Sequence, residues 1–120
     1  MFFRQLYDAP LAQAAYLIGC QATGEAIVVD PLRDVEPYLA LAEREGLRIV
    51  AVTETHIHAD FASGLRELAA RTGARTYVSG EGGDDWRYAF ATADGAVELR
   101  DGDTIRVGNV TLTAVHTPGH

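Results

Sequence analysis

The sequence predicts a mixed α/β layered domain, and three observations predict it. Short apolar runs rich in β-branched residues lie toward both ends of the chain. Two stretches with apolar residues at helical spacing are intercalated among them. Glycine-, asparagine- and aspartate-containing turns punctuate the last quarter, where the remaining runs are only three to six residues long. No internal repeat or low-complexity linker divides the 120 residues, so the chain reads as one continuous unit, residues 1–120, with one core.

Phe3 to Tyr7 is a first strand, ended by Asp8-Ala9-Pro10. Ala14 to Gly19 and Glu25 to Val29 are two further strands joined by Gln21-Ala22-Thr23-Gly24, whose turn chemistry makes the pair a hairpin. Ala26-Ile27-Val28-Val29 is apolar on both faces, as a strand covered from both sides must be. Asp34 stands where a helix N-cap belongs, Val35, Tyr38, Leu39 and Ala42 follow at helical spacing, and Gly46 ends the helix. Leu47 to Val52 is the next strand and runs into Thr53-Glu54-Thr55-His56-Ile57-His58-Ala59-Asp60-Phe61. A second helix carries Leu65, Leu68 and Ala69 on its buried stripe and closes at Gly73. Ala74 to Val78 is a strand, and Ser79 to Asp85 is a loop rich in glycine and acid. Three short strands finish the chain: Val97 to Leu99, Thr104 to Val107 and Val110 to Val115. Tight turns at Asp101-Gly102-Asp103 and Gly108-Asn109 are expected to join them.

Hydrophobic residues make up 48% and charged residues 22%, a balance that excludes a disordered chain. No apolar run approaches the roughly 20 residues of a membrane span. The opening Met1-Phe2-Phe3-Arg4-Gln5 lacks the basic-then-apolar order of a signal peptide. The single cysteine, Cys20, excludes an intramolecular disulfide framework and fits a reducing compartment, so a cytoplasmic location is expected. The formal charge is −7, and Arg33, Arg44, Arg48, Arg66, Arg71 and Arg75 are scattered. No cluster could neutralise several phosphates at once, which argues against a nucleic-acid partner.

Chemistry concentrates in two places. His56-x-His58-x-Asp60 follows an apolar strand. Two histidines two apart on an extended segment point the same way and can converge on one ion, while a carboxylate two further on can bind a second ion or orient an imidazole. The alternative is a chance histidine pair on a polar loop. The second place is Val115-His116-Thr117-Pro118-Gly119-His120, where a Pro-Gly turn after a strand presents a histidine at the strand end. Alone it reads equally well as a ligand or as a surface residue. Two imidazole-bearing segments at the ends of different strands favour the metal.

Thr55-His56-Ile57-His58-Ala59-Asp60 resembles the metal motif of the metallo-β-lactamase superfamily, and His116-Thr117-Pro118-Gly119-His120 resembles its second motif, in which the histidine after Pro-Gly is the ligand. Val29-Asp30-Pro31 is similar to the superfamily's strand-ending Asp-Pro. The resemblance implies that the chain is the N-terminal half of a four-layer αββα sandwich. His56, His58 and His120 would be metal ligands, with His58 either a third ligand or a donor outside the coordination sphere. Asp60 would serve catalysis indirectly by hydrogen-bonding a ligand imidazole, and His116 would be dispensable. In binuclear zinc members such as glyoxalase II the residue after the motif aspartate is usually a further histidine ligand; here it is Phe61, which cannot ligate, so a mononuclear site is implied. The surroundings, Glu54 to Gly64 with Tyr77-Val78-Ser79-Gly80-Glu81 and the opening Phe2 to Asp8 with Tyr16 to Gln21, resemble persulfide dioxygenases of the rhodanese-fused type.

That resemblance implies one Fe(II) per site and oxidation of a small persulfide, such as glutathione persulfide, by O₂ to sulfite and the free thiol. The alternatives are a Zn(II)-dependent thiolester hydrolase of the glyoxalase II kind and an inactive fragment or interaction module. A carboxylate ligand is implied downstream of His120. Half of a two-sheet sandwich is also expected to expose an apolar face, and hence to be completed by a downstream segment or to form a homo-oligomer. Cys20 is read as a small core hydrophobe rather than a persulfide-carrying thiol, Trp86 as loop packing rather than a channel wall, and Asp84-Asp85 as a solvated turn rather than a calcium loop.

Overall fold

Strand β1 (Phe2–Asp8) alternates its side chains between the two faces of a sheet: Phe2 and Leu6 reach the larger core, while Phe3 and Tyr7 face away and stay exposed. The structure, a computed structural model, describes residues 1–55, 64–79 and 96–117. β1 pairs antiparallel with β2 (Gln13–Cys20), and β2 pairs antiparallel with β3 (Glu25–Val29) through the expected hairpin. From β3 onward the sheet is parallel: β4 (Arg48–Thr53), β5 (Arg75–Ser79) and β6 (Val97–Leu99) add in turn, giving the order β1-β2-β3-β4-β5-β6. Helices α1 (Glu36–Arg44) and α2 (Leu65–Thr72) pack on one face, and the hairpin of β7 (Thr104–Val107) and β8 (Val110–Thr113) covers part of the other. Among the described residues no helix is long and apolar enough to cross a membrane.

The two cores explain why β3 is apolar on both sides. Ala26 and Val28 are fully buried among Leu17, Val52, Leu41, Leu65 and Leu68 on the helical face. Ile27 and Val29 are buried with Ala51, Ile105 and Val107 on the hairpin face. A shift in register between Ala26 and Ile27 pairs Ala26 with Ile49 and Ile27 with Ala51. The extra residue, Val50, then joins Ala51 on the hairpin side, so the bulge lets Ile49-Val50-Ala51-Val52 feed both cores without strict alternation.

Three expectations need correction. Asp34 is not the N-cap of α1; that position is Val35, and the Asp34 carboxylate instead accepts the Glu36 N–H at 3.2 Å. Pro37 in the first turn needs no amide partner, so the helix starts one residue late at little cost. The bend at Asp101-Gly102-Asp103 makes no hairpin: β6 belongs to the six-stranded sheet and β7 to the second one, so these residues carry the chain between layers. β8 ends at Thr113 rather than Val115, because Ala114 is already bonded to that bend, its N–H to Asp103 O and its carbonyl to Gly102 N. The turn at Gly108-Asn109 does close a two-residue hairpin, with Val107 opposite Val110.

The expectation of a bare second face is also revised. Among the described residues β7 and β8 bury its centre, and Phe3 and Tyr7, two of the large apolar residues that stay exposed, lie on the edge strand β1. Cys20 is buried as expected, yet it is more than an apolar filler. Its Sγ accepts the Asn109 N–H at 3.3 Å. Hydrogen bonding from the Thr23 hydroxyl chiefly, then from the Asn109 and Thr23 amides, holds the thiol down from 9.0 to about 7. A depressed acid stabilises the fold above its unfolded value and loses that contribution as pH falls through its folded one. Stability of the wild type relative to Cys20→Ser is therefore expected to rise from pH 7 to pH 9, as read by urea titration at several pH values; parallel curves would refute the assignment.

Candidate metal centre

His56, His58, Asp60, Phe61 and His120 lie outside the described residues, as do Trp86 and Asp84-Asp85. What the structure does describe is the framework from which the two histidine-bearing segments depart. β3, β4, β5 and β6 run parallel, so the residues after Val29, Thr53, Ser79 and Leu99 all emerge at one edge of the sheet. Ligand sites of open parallel sheets form at this carboxyl edge. Thr55 leads to His56 from the end of β4. His116 belongs to a segment returning from β8, and its N–H donates to the Asp101 carboxylate at 2.8 Å, just past the end of β6. β4 and β6 are separated only by β5. At the usual strand spacing that is about 10 Å, so both histidine segments leave from the same short stretch of edge.

Asp30 organises this edge. It is buried, 4% exposed, and has φ of +57° although it precedes a proline. Aspartate visits the left-handed region more readily than most residues, but the conformation persists only where surrounding contacts enforce it. Here they do. The Asp30 N–H donates to Thr53 O at 2.9 Å. The carboxylate accepts the Thr55 N–H at 2.8 Å and the Thr55 hydroxyl at 2.6 Å. Thr53 in turn donates its hydroxyl to Tyr77 O at 2.8 Å, tying β4 to β5 at the same level. The backbone that precedes His56 is thus fixed by charge-assisted hydrogen bonds. Glu54, between Thr53 and Thr55, is also buried, 7% exposed.

His116 is exposed, and its main-chain N–H makes the contact to Asp101. Cys20 pairs with Glu25 at the amino end of β3, the opposite edge of the sheet, so it is no part of this site. The roles of Asp30 and Asp101 were not read from the sequence: each bonds a partner distant in the chain, and the one local signal was an aspartate before proline at a strand end.

A donor set of imidazoles with a carboxylate suits iron or zinc. Among the described residues no group of three such donors comes together; what they show is that Thr55 and His116, which lead into the two histidine-bearing segments, are each bonded to an aspartate at the carboxyl edge.

Residues 8–120 match the metallo-beta-lactamase superfamily. The chain is 40% identical over 122 residues to a hydroxyacylglutathione hydrolase of Nitrosococcus oceani, covering all of this chain and 44% of that protein. It is 32% identical over 124 residues to the human mitochondrial persulfide dioxygenase ETHE1, again over all of this chain and 44% of that one. A metallo-beta-lactamase structure from Staphylococcus aureus superimposes with a TM-score of 0.93 at 50% identity, covering 98% of this chain and 34% of that one. The chain thus spans less than half the length of these relatives. With its parallel carboxyl edge, its His-x-His-x-Asp sequence and a family match over nearly its whole length, the chain belongs to the metallo-β-lactamase superfamily and has its mixed α/β fold.

Proposed function

We propose that this chain contributes His56, His58 and His120 to a single Fe(II) site that oxidises a low-molecular-weight persulfide with O₂, giving sulfite and the free thiol. The observation that carries the dioxygenase reading is Phe61, directly after Asp60, where a binuclear site would need another ligand. The likeness to the human persulfide dioxygenase along the whole chain supports it. Residues 1–120 are read as part of a larger metallo-β-lactamase-fold domain, with the carboxylate ligand further along.

His56 and His120 would hold the ion, and His58 would either complete the set or act from outside the coordination sphere. Asp60 would orient a ligand imidazole by accepting its distal N–H. Phe61, an apolar ring where a further ligand would stand, would make the surroundings of the ion less polar. When bound, ferrous iron would supply the redox chemistry that lets dioxygen react with the persulfide. One persulfide, one O₂ and one water balance one thiol, one sulfite and two protons.

A second reading is favoured by the higher identity, 40% against 32%, to the hydroxyacylglutathione hydrolase: a Zn(II)-dependent thiolester hydrolase. One experiment separates the two. The full-length protein, purified with its metal, is assayed by elemental analysis, by O₂ consumption with glutathione persulfide, and by anaerobic thiol release from an acylglutathione. About one iron per chain with O₂ uptake is expected. Two zinc ions with anaerobic thiol release would establish the hydrolase, and neither activity would leave an interaction module.

A further inference from the structure

The segment Asp30-Pro31-Leu32 meets the chain on both sides of residues 56–63. On one side the Asp30 carboxylate binds Thr55. On the other, the Gly64 N–H donates to Pro31 O at 2.9 Å. Gly64 has φ of −89°, open to every residue, so glycine is not required there for its conformation. It is required for space. A Cβ at Gly64 would run into the Leu32 carbonyl oxygen and would lie 2.8 Å from Val35 Cγ1.

Neither side of this contact can yield cheaply. The Leu32 N–H donates to the Tyr38 hydroxyl at 2.8 Å, Tyr38 and Val35 are both buried in the core, and Pro31 is fully buried. Behind Gly64, its carbonyl accepts the Leu68 N–H at 2.9 Å, and Leu65 and Leu68 seat α2 in the same core. An added methyl must therefore displace either α2 or Leu32, and a metal site tolerates misplacement of only about 0.5 Å.

We propose that Asp30-Pro31-Leu32 is a two-point clamp that sets the distance between the two ends of residues 56–63. Thr55 and Gly64 are then positioning residues for the metal ligands His56 and His58. This rests on the metal reading above and extends it to residues that touch neither ion nor substrate.

The test uses the full-length protein and measures Zn(II) and Fe(II) dissociation constants anaerobically against a chromophoric chelator, beside thermal unfolding of the metal-free form. Gly64→Ala and Thr55→Val are expected to weaken metal binding about 10- to 100-fold, the range found when groups supporting metal ligands are lost. Thr55→Ser, which keeps the hydroxyl, should restore wild-type affinity. Ile105→Val, in the core on the other face of the sheet, should lower the unfolding temperature without weakening metal binding. Should Gly64→Ala fail to fold, the Thr55→Val and Thr55→Ser pair decides. Wild-type affinity in Thr55→Val, or an equal loss in Ile105→Val, would overturn the clamp and leave the metal reading standing. A wild type that binds neither ion would overturn both.

Discussion

Replacing His56 by alanine in the full-length protein is expected to weaken metal binding by more than about 100-fold, beyond the 10- to 100-fold cost of losing a group that merely supports a ligand. His116→Ala is expected to leave binding essentially unchanged. The contrast follows from where the contacts lie. His56 directly follows Thr55, whose amide and hydroxyl are fixed on Asp30, so its backbone departs from a set position at the carboxyl edge. His116 has an exposed side chain, and its tie to Asp101 runs through the main-chain N–H, which alanine keeps. Chelator competition on the two variants checks this. Equal losses would mean that the second motif is read in the wrong register and that His116 is itself a ligand.

Asp30→Ala is the second large effect expected. It removes both hydrogen bonds to Thr55 and places a residue less suited to positive φ at +57°. Hydrogen bonds to a charged group are worth about 1.5–3 kcal/mol each, and the two need not add, so a loss of about 3 kcal/mol or more is expected in urea unfolding of the metal-free protein. Asp30→Asn keeps an acceptor and tolerates the backbone, so it should recover much of the loss. A change below about 0.5 kcal/mol in Asp30→Ala, the range of an unremarkable surface substitution, would show that Thr55 finds water or another partner there.

What the sequence made legible follows from how far each signal reaches. β3 was read as doubly covered because four consecutive apolar residues leave no polar face, and its coverage by helices on one side and the β7–β8 hairpin on the other bears that out. The Gly108-Asn109 hairpin turn is a two-residue signal and was equally readable. The bend at Asp101-Gly102-Asp103 looked the same locally. Whether it folds a hairpin or passes the chain to another layer depends on β5, which claims β6, and such competition is absent from a local window. Asp34 shows the limit of capping rules: an acceptor one residue ahead of Val35 was enough to mislead. In the candidate site, the histidines stood out as a motif, whereas Asp30, Gly64 and Asp101 act through partners 25, 33 and 15 positions away (55−30, 64−31, 116−101) and gave no periodic signal. The sulfur contact of Cys20 to Asn109, 89 residues on, was hidden for the same reason.

The strand order β1-β2-β3-β4-β5-β6 has a consequence for how the chain is made. Among the described strands of this sheet, each pairs with the one synthesised just before it, and none is inserted between two earlier ones. On the ribosome the growing sheet can therefore offer a finished edge to the next of these described strands. Loop-closure cost stays low at every addition, and edges exposed to neighbouring nascent chains are capped in the order they appear. Thr53, bonded to both Asp30 and Tyr77, can receive its first contact as soon as β4 emerges and its second when β5 does. The scaffold for the histidine segment is thus assembled at the pace of translation, ahead of the Pro-Gly-His sequence that follows it.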